Sequence, residues 1–390
     1  MQVPTQIEYM LKSLTDAGYE AYLVGGCVRD FLLHKEPSDY DVTTSALPEE
    51  TIAVFEKDRV VPTGLKHGTV TVLHGGISAE ITTYRTETTY SDSRHPDKVE
   101  FSKNVSDDLC RRDFTVNAMA MDIDKNIIDL YGGRADLENQ LIRAVGVPRE
   151  RFTEDALRIL RAFRFAAKLG FEIEKETLLA AVMLASRLEF VSRERIFEEF
   201  CKLLCGVKAS KILKIMYENG IFECMFDAPR INAKAIEDIE KLPCRADVRF
   251  AALFLHDERI LEHVKSLKTS SAFLQCVKQI STCRLPKNHS APELRRTVYK
   301  SGEAAIDRAI VEGDCSLAAK LKKLIERENC FKVQDLEIDG KDIMELLGKK
   351  GKEVGEVLNS LLFAVFDEKV ANNRADLIEY LKKVDNIGKV

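Results

Sequence analysis

Two aspartates one residue apart, Asp39 and Asp41, sit in the run SDYDVTTS. On an extended strand that spacing points both carboxylates to one face, roughly 6.6 Å apart along the chain. Like charges held this close disfavour one another, and a divalent cation resolves the conflict. Mg2+ takes hard oxygen ligands and keeps positions open for phosphate oxygens, with Mn2+ as the alternative ion. Glu80, in AEITTYR, offers a third carboxylate from a neighbouring strand. Upstream, LVGGCVRD sets Gly25 and Gly26 between a strand and a helix. Backbone N–H groups and a helix N-terminus there suit phosphate oxygens, and Arg29 follows in the first turns. Taken alone, Asp-x-Asp also describes exposed acids on an edge strand; the preceding Gly-Gly-x-x-Arg-Asp favours the metal reading.

A second constellation lies in EDALRILRAFRFAAKLGF (154–171). Asp155 and Arg158, at i and i+3, are expected to share a helix face with their Cβ atoms ~5–6 Å apart. One accepts and the other donates, which matches an edge carrying an amino group beside a ring acceptor. Cytosine and adenine present that edge; guanine and uracil present a carbonyl and a protonated ring nitrogen. Each wrong pairing costs ~1–3 kcal/mol through unsatisfied or like-type contacts. The competing reading is an ordinary i,i+3 surface ion pair.

The elements needed to position these groups are visible in the first ~145 residues. Segments 20–26, 40–44, 68–75, 79–85 and 117–123 read as strands by their branched and aromatic content and glycine punctuation. Helices fit VRDFLLHK, after the glycine pair, and PEETIAVFEKD, with Pro48 near its start. From about Arg151 the pattern turns helical almost throughout, with Leu157, Leu160, Phe163 and Ala167 on one stripe and Arg158, Arg161, Arg164 and Lys168 beside it.

A chain of 390 residues exceeds what one hydrophobic core supports, so several domains are expected. No apolar run reaches the ~18–20 residues of a membrane span. The N-terminus lacks the basic and apolar stretches of a signal peptide, which predicts a cytoplasmic protein without membrane association. Ten cysteines are scattered without a C-x-x-C pair and are expected to be reduced thiols. The net charge of −5 argues against coating nucleic acid by bulk charge while leaving room for a local basic groove.

The run from Gly25 to Asp41 resembles the nucleotidyltransferase superfamily that includes DNA polymerase β. The longer pattern resembles the class II tRNA nucleotidyltransferases, or CCA-adding enzymes, and the bacterial poly(A) polymerases. It is dense over 22–172, continues at 192–199 and returns more weakly over 336–385. RRDFTVNAMA (111–120) is similar to the family's second motif, which implies Arg112 on a triphosphate and Asp113 and Asn117 on the ribose side or in support. DLYGGRADL (129–137) resembles its hinge, with Asp129, Gly132, Gly133 and Asp136 structural. The motif around Asp155 and Arg158 resembles its nucleotide reader, and extends nucleotide binding to Arg161 and Arg164.

The resemblance implies an α+β multidomain protein. A polymerase β-like head with a mixed sheet (1–145) would precede an elongated all-α neck (146–205), body (206–330) and tail (331–390). It implies two Mg2+ ions, one held by Asp39 and Asp41 and the other holding the triphosphate, with Glu80 a third catalytic carboxylate, and transfer of nucleotides from CTP and ATP to tRNA with no protein nucleophile. No obligate protein partner is implied. The segment 82–101, with Tyr90, Asp92, Arg94 and Pro96, resembles a loop that full CCA-adding and A-adding members retain, although Glu87-Thr88 stands where the family usually has Asp-Gly. Full CCA addition is the expected activity, with addition of the terminal A alone as the alternative and poly(A) synthesis third. The stretch 338–358 resembles the RNA-holding tail, with Lys341, Lys350 and Lys352 facing phosphates. Two rivals remain: a non-catalytic RNA-binding protein on a decayed head, and an antibiotic nucleotidyltransferase.

Overall fold

The computed structural model describes residues 3–88 and 98–387. It divides into two compact units, residues 1–229 with 266–268, and 230–265 with 269–390.

The first unit begins with α1 (Thr5–Asp16), β1 (Ala21–Val24), α2 (Gly26–Leu32), β2 (Asp41–Thr44) and α3 (Pro48–Val54). Next come β3 (Arg59–Gly64), β4 (Thr69–His74), β5 (Ile77–Thr83), β6 (Arg85–Thr88) and β7 (Lys98–Phe101). They are followed by α4 (Val105–Cys110), β8 (Met119–Met121), β9 (Ile127–Asp129), α5 (Gly133–Glu138) and β10 (Leu141–Ile142). Among the described residues, seven strands form one sheet in the order β3-β4-β5-β2-β1-β8-β9. Its one parallel pairing joins β2 to β5, and the other neighbours are antiparallel. This is the mixed-sheet head expected of an α+β protein.

Alternation explains the sheet's two faces. Val70 and Val72 of β4 are buried, as are Ala79, Ile81 and Thr83 of β5, while Glu80 between them is exposed. β3 carries Pro62, which removes a ladder donor; it sits at the sheet edge and its register shifts between Val61 and Gly64. The loop residues Tyr90, Asp92, Arg94 and Pro96 lie outside the described residues.

Helices then take over, with α6 (Pro148–Glu154), α7 (Leu157–Leu169), a short β11 (Glu172–Ile173), α8 (Lys175–Met183), α9 (Arg193–Leu204), α10 (Ala209–Glu218) and α11 (Ile221–Met225). α7 is buried on most of its circumference and packs along α9. Gly170 ends it in the left-handed conformation, φ 79°.

The second unit is all helical among its described residues: α12 (Ala233–Asp238), α13 (Ala246–Leu253), α14 (Ile260–Ser266), α15 (Ser271–Thr282), α16 (Ala291–Ser301), α17 (Ala304–Val311), α18 (Cys315–Arg327), α19 (Gly340–Leu347), α20 (Lys352–Phe366) and α21 (Arg374–Ile387). One apolar cluster gathers Leu294, Val298, Ala309 and Leu321, and another gathers Ile343, Leu362, Phe366 and Leu377. The Asp257 carboxylate accepts from the backbone N–H groups of Arg230 and Arg259 and meets His263 Nε2 at 2.9 Å. All ten cysteines are free thiols. Among the described residues, no helix is long and apolar enough to cross a membrane.

Candidate active site

β1 ends at Val24, and the chain turns through Gly25 into α2. Asp41 opens β2 directly opposite Val24, and Glu80 of β5 is its register partner on the other side. Register partners project to the same face, so the Asp41 and Glu80 carboxylates share one side of the sheet. Asp39 departs from expectation. It precedes β2 rather than lying on it, and is exposed with Ser38 Oγ donating to it at 3.1 Å. β1 has already turned away at Gly25, so no ladder reaches back to Asp39. The two aspartates nevertheless line one cavity, which does not include Glu80.

Burial first, and then the charges of Asp39, Glu80 and Asp108, push the Asp41 carboxyl up to about 6 against the opposing pull of Arg112. Carboxylates crowded in this way favour a cation. The donor set, two hard carboxylates lining one cavity, fits a divalent ion whose remaining positions are filled by phosphate and water. Among the described residues no three His, Cys, Asp or Glu groups converge to enclose an ion by themselves.

Gly25 is needed at the corner. Its φ is 75°, and a Cβ there would lie 3.0 Å from Arg112 Nη1 and 3.5 Å from Asp41 Oδ2. Arg112 is held by Asp108 of α4, a fully buried carboxylate that accepts from Arg112 at 2.9 Å and from Arg111 at 2.6 Å. Burial opposes the Asp108 charge, but the two guanidiniums outweigh it and hold the carboxyl below its usual range. Arg29, 3% exposed, donates to Asp30 at 2.8 Å and to Asn117 Oδ1 at 2.7 Å. Asn117 in turn donates to Asp113 Oδ1 at 3.2 Å, and Arg161 Nε donates to Asp113 Oδ2 at 2.7 Å. Asp113 thus ties the second motif to α7. Arg164 is paired with Glu199 of α9.

The expected base-reading pair is also brought to the cavity, with different local geometry. Asp155 and Arg158 do not share a continuous helix, because the chain breaks between α6 and α7 and Asp155 is extended at φ −137°. The Asp155 side chain accepts from Leu157 N–H at 3.0 Å, substituting for a helical turn at the start of α7. Its other oxygen accepts from Arg195 of α9 at 2.8 Å. Arg158 donates to Glu154 at 2.8 Å and to the Arg111 carbonyl at 2.9 Å.

Asp39, Asp41, Arg29, Arg112, Asp155 and Arg158, with Gly26 and Lys168, are among the residues lining a cavity of about 700 Å³ within the first unit. Eight arginines and one lysine face it against five aspartates, a balance suited to a polyanion. Lys341, Lys350 and Lys352 belong to the second unit. They are exposed at the start of α19 and around the start of α20, outside this cavity.

Residues 21–143 match the poly A polymerase head domain, 170–234 a probable RNA- and SrmB-binding site of polymerase A, and 248–381 a putative domain 2 of tRNA nucleotidyltransferase. The chain is 37% identical over 393 residues to a CCA-adding enzyme of Lactobacillus delbrueckii subsp. bulgaricus, covering 97% of this chain and 98% of that one. The chain belongs to the CCA-adding nucleotidyltransferases. A CCA-adding enzyme of Lactobacillus gasseri is 38% identical, with 95% of each chain covered. Among solved structures, the Bacillus stearothermophilus CCA-adding enzyme in complex with CTP superposes with a TM-score of 0.86 at 31% identity, over 100% of this chain and 99% of that one.

In this CCA-adding family member the sequence reading overlooked Asp108, Arg195 and Glu199. Asp108 stands three and four residues before Arg111 and Arg112, a spacing that pairs charges on a helix and was available as a signal. Arg195 and Glu199 lie in a charge-rich segment that reads as a solvated face, and no local pattern marks them as partners of Asp155 and Arg164.

Proposed function

We propose that this nucleotidyltransferase adds C, C and A to the 3′ end of tRNA, taking CTP and ATP without a nucleic-acid template, in the cytoplasm. The observation that carries the reading is a single arginine-rich cavity lined by Asp39 and Asp41 together with Asp155 and Arg158. The RNA 3′-oxygen attacks the α-phosphorus of the nucleotide, its proton passes to solvent, and the bond to the bridging oxygen breaks as pyrophosphate leaves. Asp39 and Asp41, with Glu80 beside them, would hold Mg2+, or Mn2+ in its place, as a pair of ions. Bound there, the metal supplies positive charge that eases loss of the hydroxyl proton and stabilises the leaving pyrophosphate. Gly25 and Gly26 bring backbone close to the phosphates, while Arg29 and Arg112 offset charge developing on their oxygens. Asp113, Asn117, Arg161 and Arg164 shape the pocket for the sugar and triphosphate. Asp155 and Arg158 accept the edges of cytosine and adenine and leave guanine and uracil with mismatched partners.

Within this reading the head spans 1–145, the neck 146–205, the body 206–330 and the tail 331–390. Lys341, Lys350 and Lys352 grip the tRNA backbone by charge rather than by sequence.

The test is to offer tRNA transcripts ending at the discriminator base, at C and at CC, with each nucleoside triphosphate singly and with CTP plus ATP. Growth to CCA from the bare discriminator is expected. Extension of the CC-ended transcript alone, by ATP alone, would replace this reading with addition of the terminal A. Long A tails would replace it with poly(A) synthesis. Asp41→Ala should abolish extension, and full activity in that variant would refute the metal assignment.

A further inference from the structure

One apolar ring stands in the polar cavity wall. Phe165 of α7 lines the cavity, is 6% exposed, and meets Phe114 edge-on at 5.7 Å between centroids. Three guanidinium carbons surround it: Arg164 at 3.8 Å from its centroid, and Arg29 and Arg161 each at 5.4 Å. These cations come from two separate elements, α2 and α7. Burial and the like charge of Arg161 weigh against the charged form of Arg164, and Glu199 only partly compensates.

Three cations packed this closely repel unless something holds them. Carboxylates do part of this, with Asp30 on Arg29, Asp113 on Arg161 and Glu199 on Arg164. A carboxylate, however, binds N–H donors and cancels charge. A ring attracts the cation through its quadrupole and takes only the flat face of the guanidinium. It uses none of the five N–H donors, so those not bonded to a carboxylate stay available to phosphate oxygens.

We propose that Phe165 is a positioning residue for the incoming nucleotide: its ring gathers Arg29, Arg161 and Arg164 into one cationic wall that receives the triphosphate. The inference rests on the nucleotide-transfer reading above. Phe165 acts through the arginines and touches no reacting atom. Because the triphosphate is common to both substrates, Phe165 governs affinity for CTP and ATP alike and leaves the choice between bases to Asp155 and Arg158. α7 carries Arg158 as well, so the ring also keeps the triphosphate wall at a fixed distance along the same helix from the base reader.

The experiment replaces Phe165 in the full-length protein with 4-fluoro-, 3,5-difluoro- and 3,4,5-trifluorophenylalanine, which drain the ring face of negative charge at nearly constant shape. Calorimetry then measures Kd for CTP and for ATP in Mg2+, and initial rates separate KM for nucleotide from KM for tRNA. Affinity for both nucleotides should fall stepwise with fluorination, reaching about tenfold in the trifluoro protein, while KM for tRNA stays constant. Phe165→Leu should lose at least as much and Phe165→Tyr should bind as the parent does. Phe222→Leu, which removes a buried ring from α11 outside the cavity, should lower Tm without changing Kd. A flat fluorination series, or an equal loss of nucleotide affinity in Phe222→Leu, overturns the proposal. Should the parent protein bind neither nucleotide, the functional reading itself fails; should it bind both and the series be flat, this inference alone fails.

Discussion

The carboxylate of Asp108 accepts a hydrogen bond from Arg112 Nη2 at 2.9 Å from a position with no solvent exposure at all. Arg112 is thereby fixed beside Gly25 and Asp41. Asp108→Asn keeps the shape and removes the charge. It should cost about 3 kcal/mol of stability in urea unfolding, because two guanidiniums lose their buried partner. Nucleotide extension should fall by about 100-fold through misplacement of Arg112. An Asp108→Asn enzyme with the parental rate would show that Arg112 needs no such anchor.

Gly25→Ala combines two penalties. The added methyl lies 3.0 Å from Arg112 Nη1, and the backbone holds φ at 75°. Strain of about 1–3 kcal/mol is expected. Extension should fall much further than the change in Tm implies, since the methyl intrudes between Arg112 and Asp41. Activity and thermal unfolding measured on one preparation decide the matter; losses in proportion would mean strain alone.

Base choice should depend on Asp155 and, more weakly, on Arg195. Asp155→Ala removes the acceptor and should raise misincorporation from GTP and UTP by about tenfold or more while tRNA affinity changes little. Arg195→Ala leaves the acceptor in place but frees the oxygen that Arg195 holds at 2.8 Å, so its effect on misincorporation should be smaller. Single-nucleotide extension assays compare the two directly. Unchanged selectivity in Asp155→Ala would discredit the reader.

Acid should act on the first unit through Asp113. Burial opposes its charge, but Arg161 and Asn117 prevail and hold its carboxyl down at about 2. A carboxyl depressed on folding stabilises the folded state above its ordinary value near 4, and that contribution fades as pH falls from about 4 to about 2. Asp113→Asn should therefore cost about 2 kcal/mol at pH 7 and progressively less below pH 4. Urea unfolding across that range tests it; a penalty independent of pH would assign the loss to packing instead.

The chemistry was more legible in the sequence than its geometry. Strand, glycine pair, helix and Asp41 could be read in order because each is a local signal: branched residues, a left-handed turn, a helix start. Asp39 was misplaced because strand extent is set by partners, and β1 has turned away before Asp39 could pair. The helix carrying Arg158 was drawn one turn too far for a related reason, since Asp155 caps Leu157 with its own side chain instead of continuing the ladder. β3 was missed because Pro62 argues against a strand, an objection that lapses at a sheet edge. Arg195, Glu199 and the approach of Arg29 to Phe165 depend on elements that meet only in three dimensions, and no spacing along the chain encodes that encounter.

The parallel ladder between β2 and β5 also decides how far apart in sequence Asp41 and its neighbour Glu80 must lie. A parallel neighbour cannot be reached by a hairpin, so Asp41 and Glu80 are joined by a long connection that carries α3, β3 and β4. The crowding of these two carboxylates is thus a non-local contact, carried by a sheet whose antiparallel neighbours β4 and β5 pair residues far nearer in sequence.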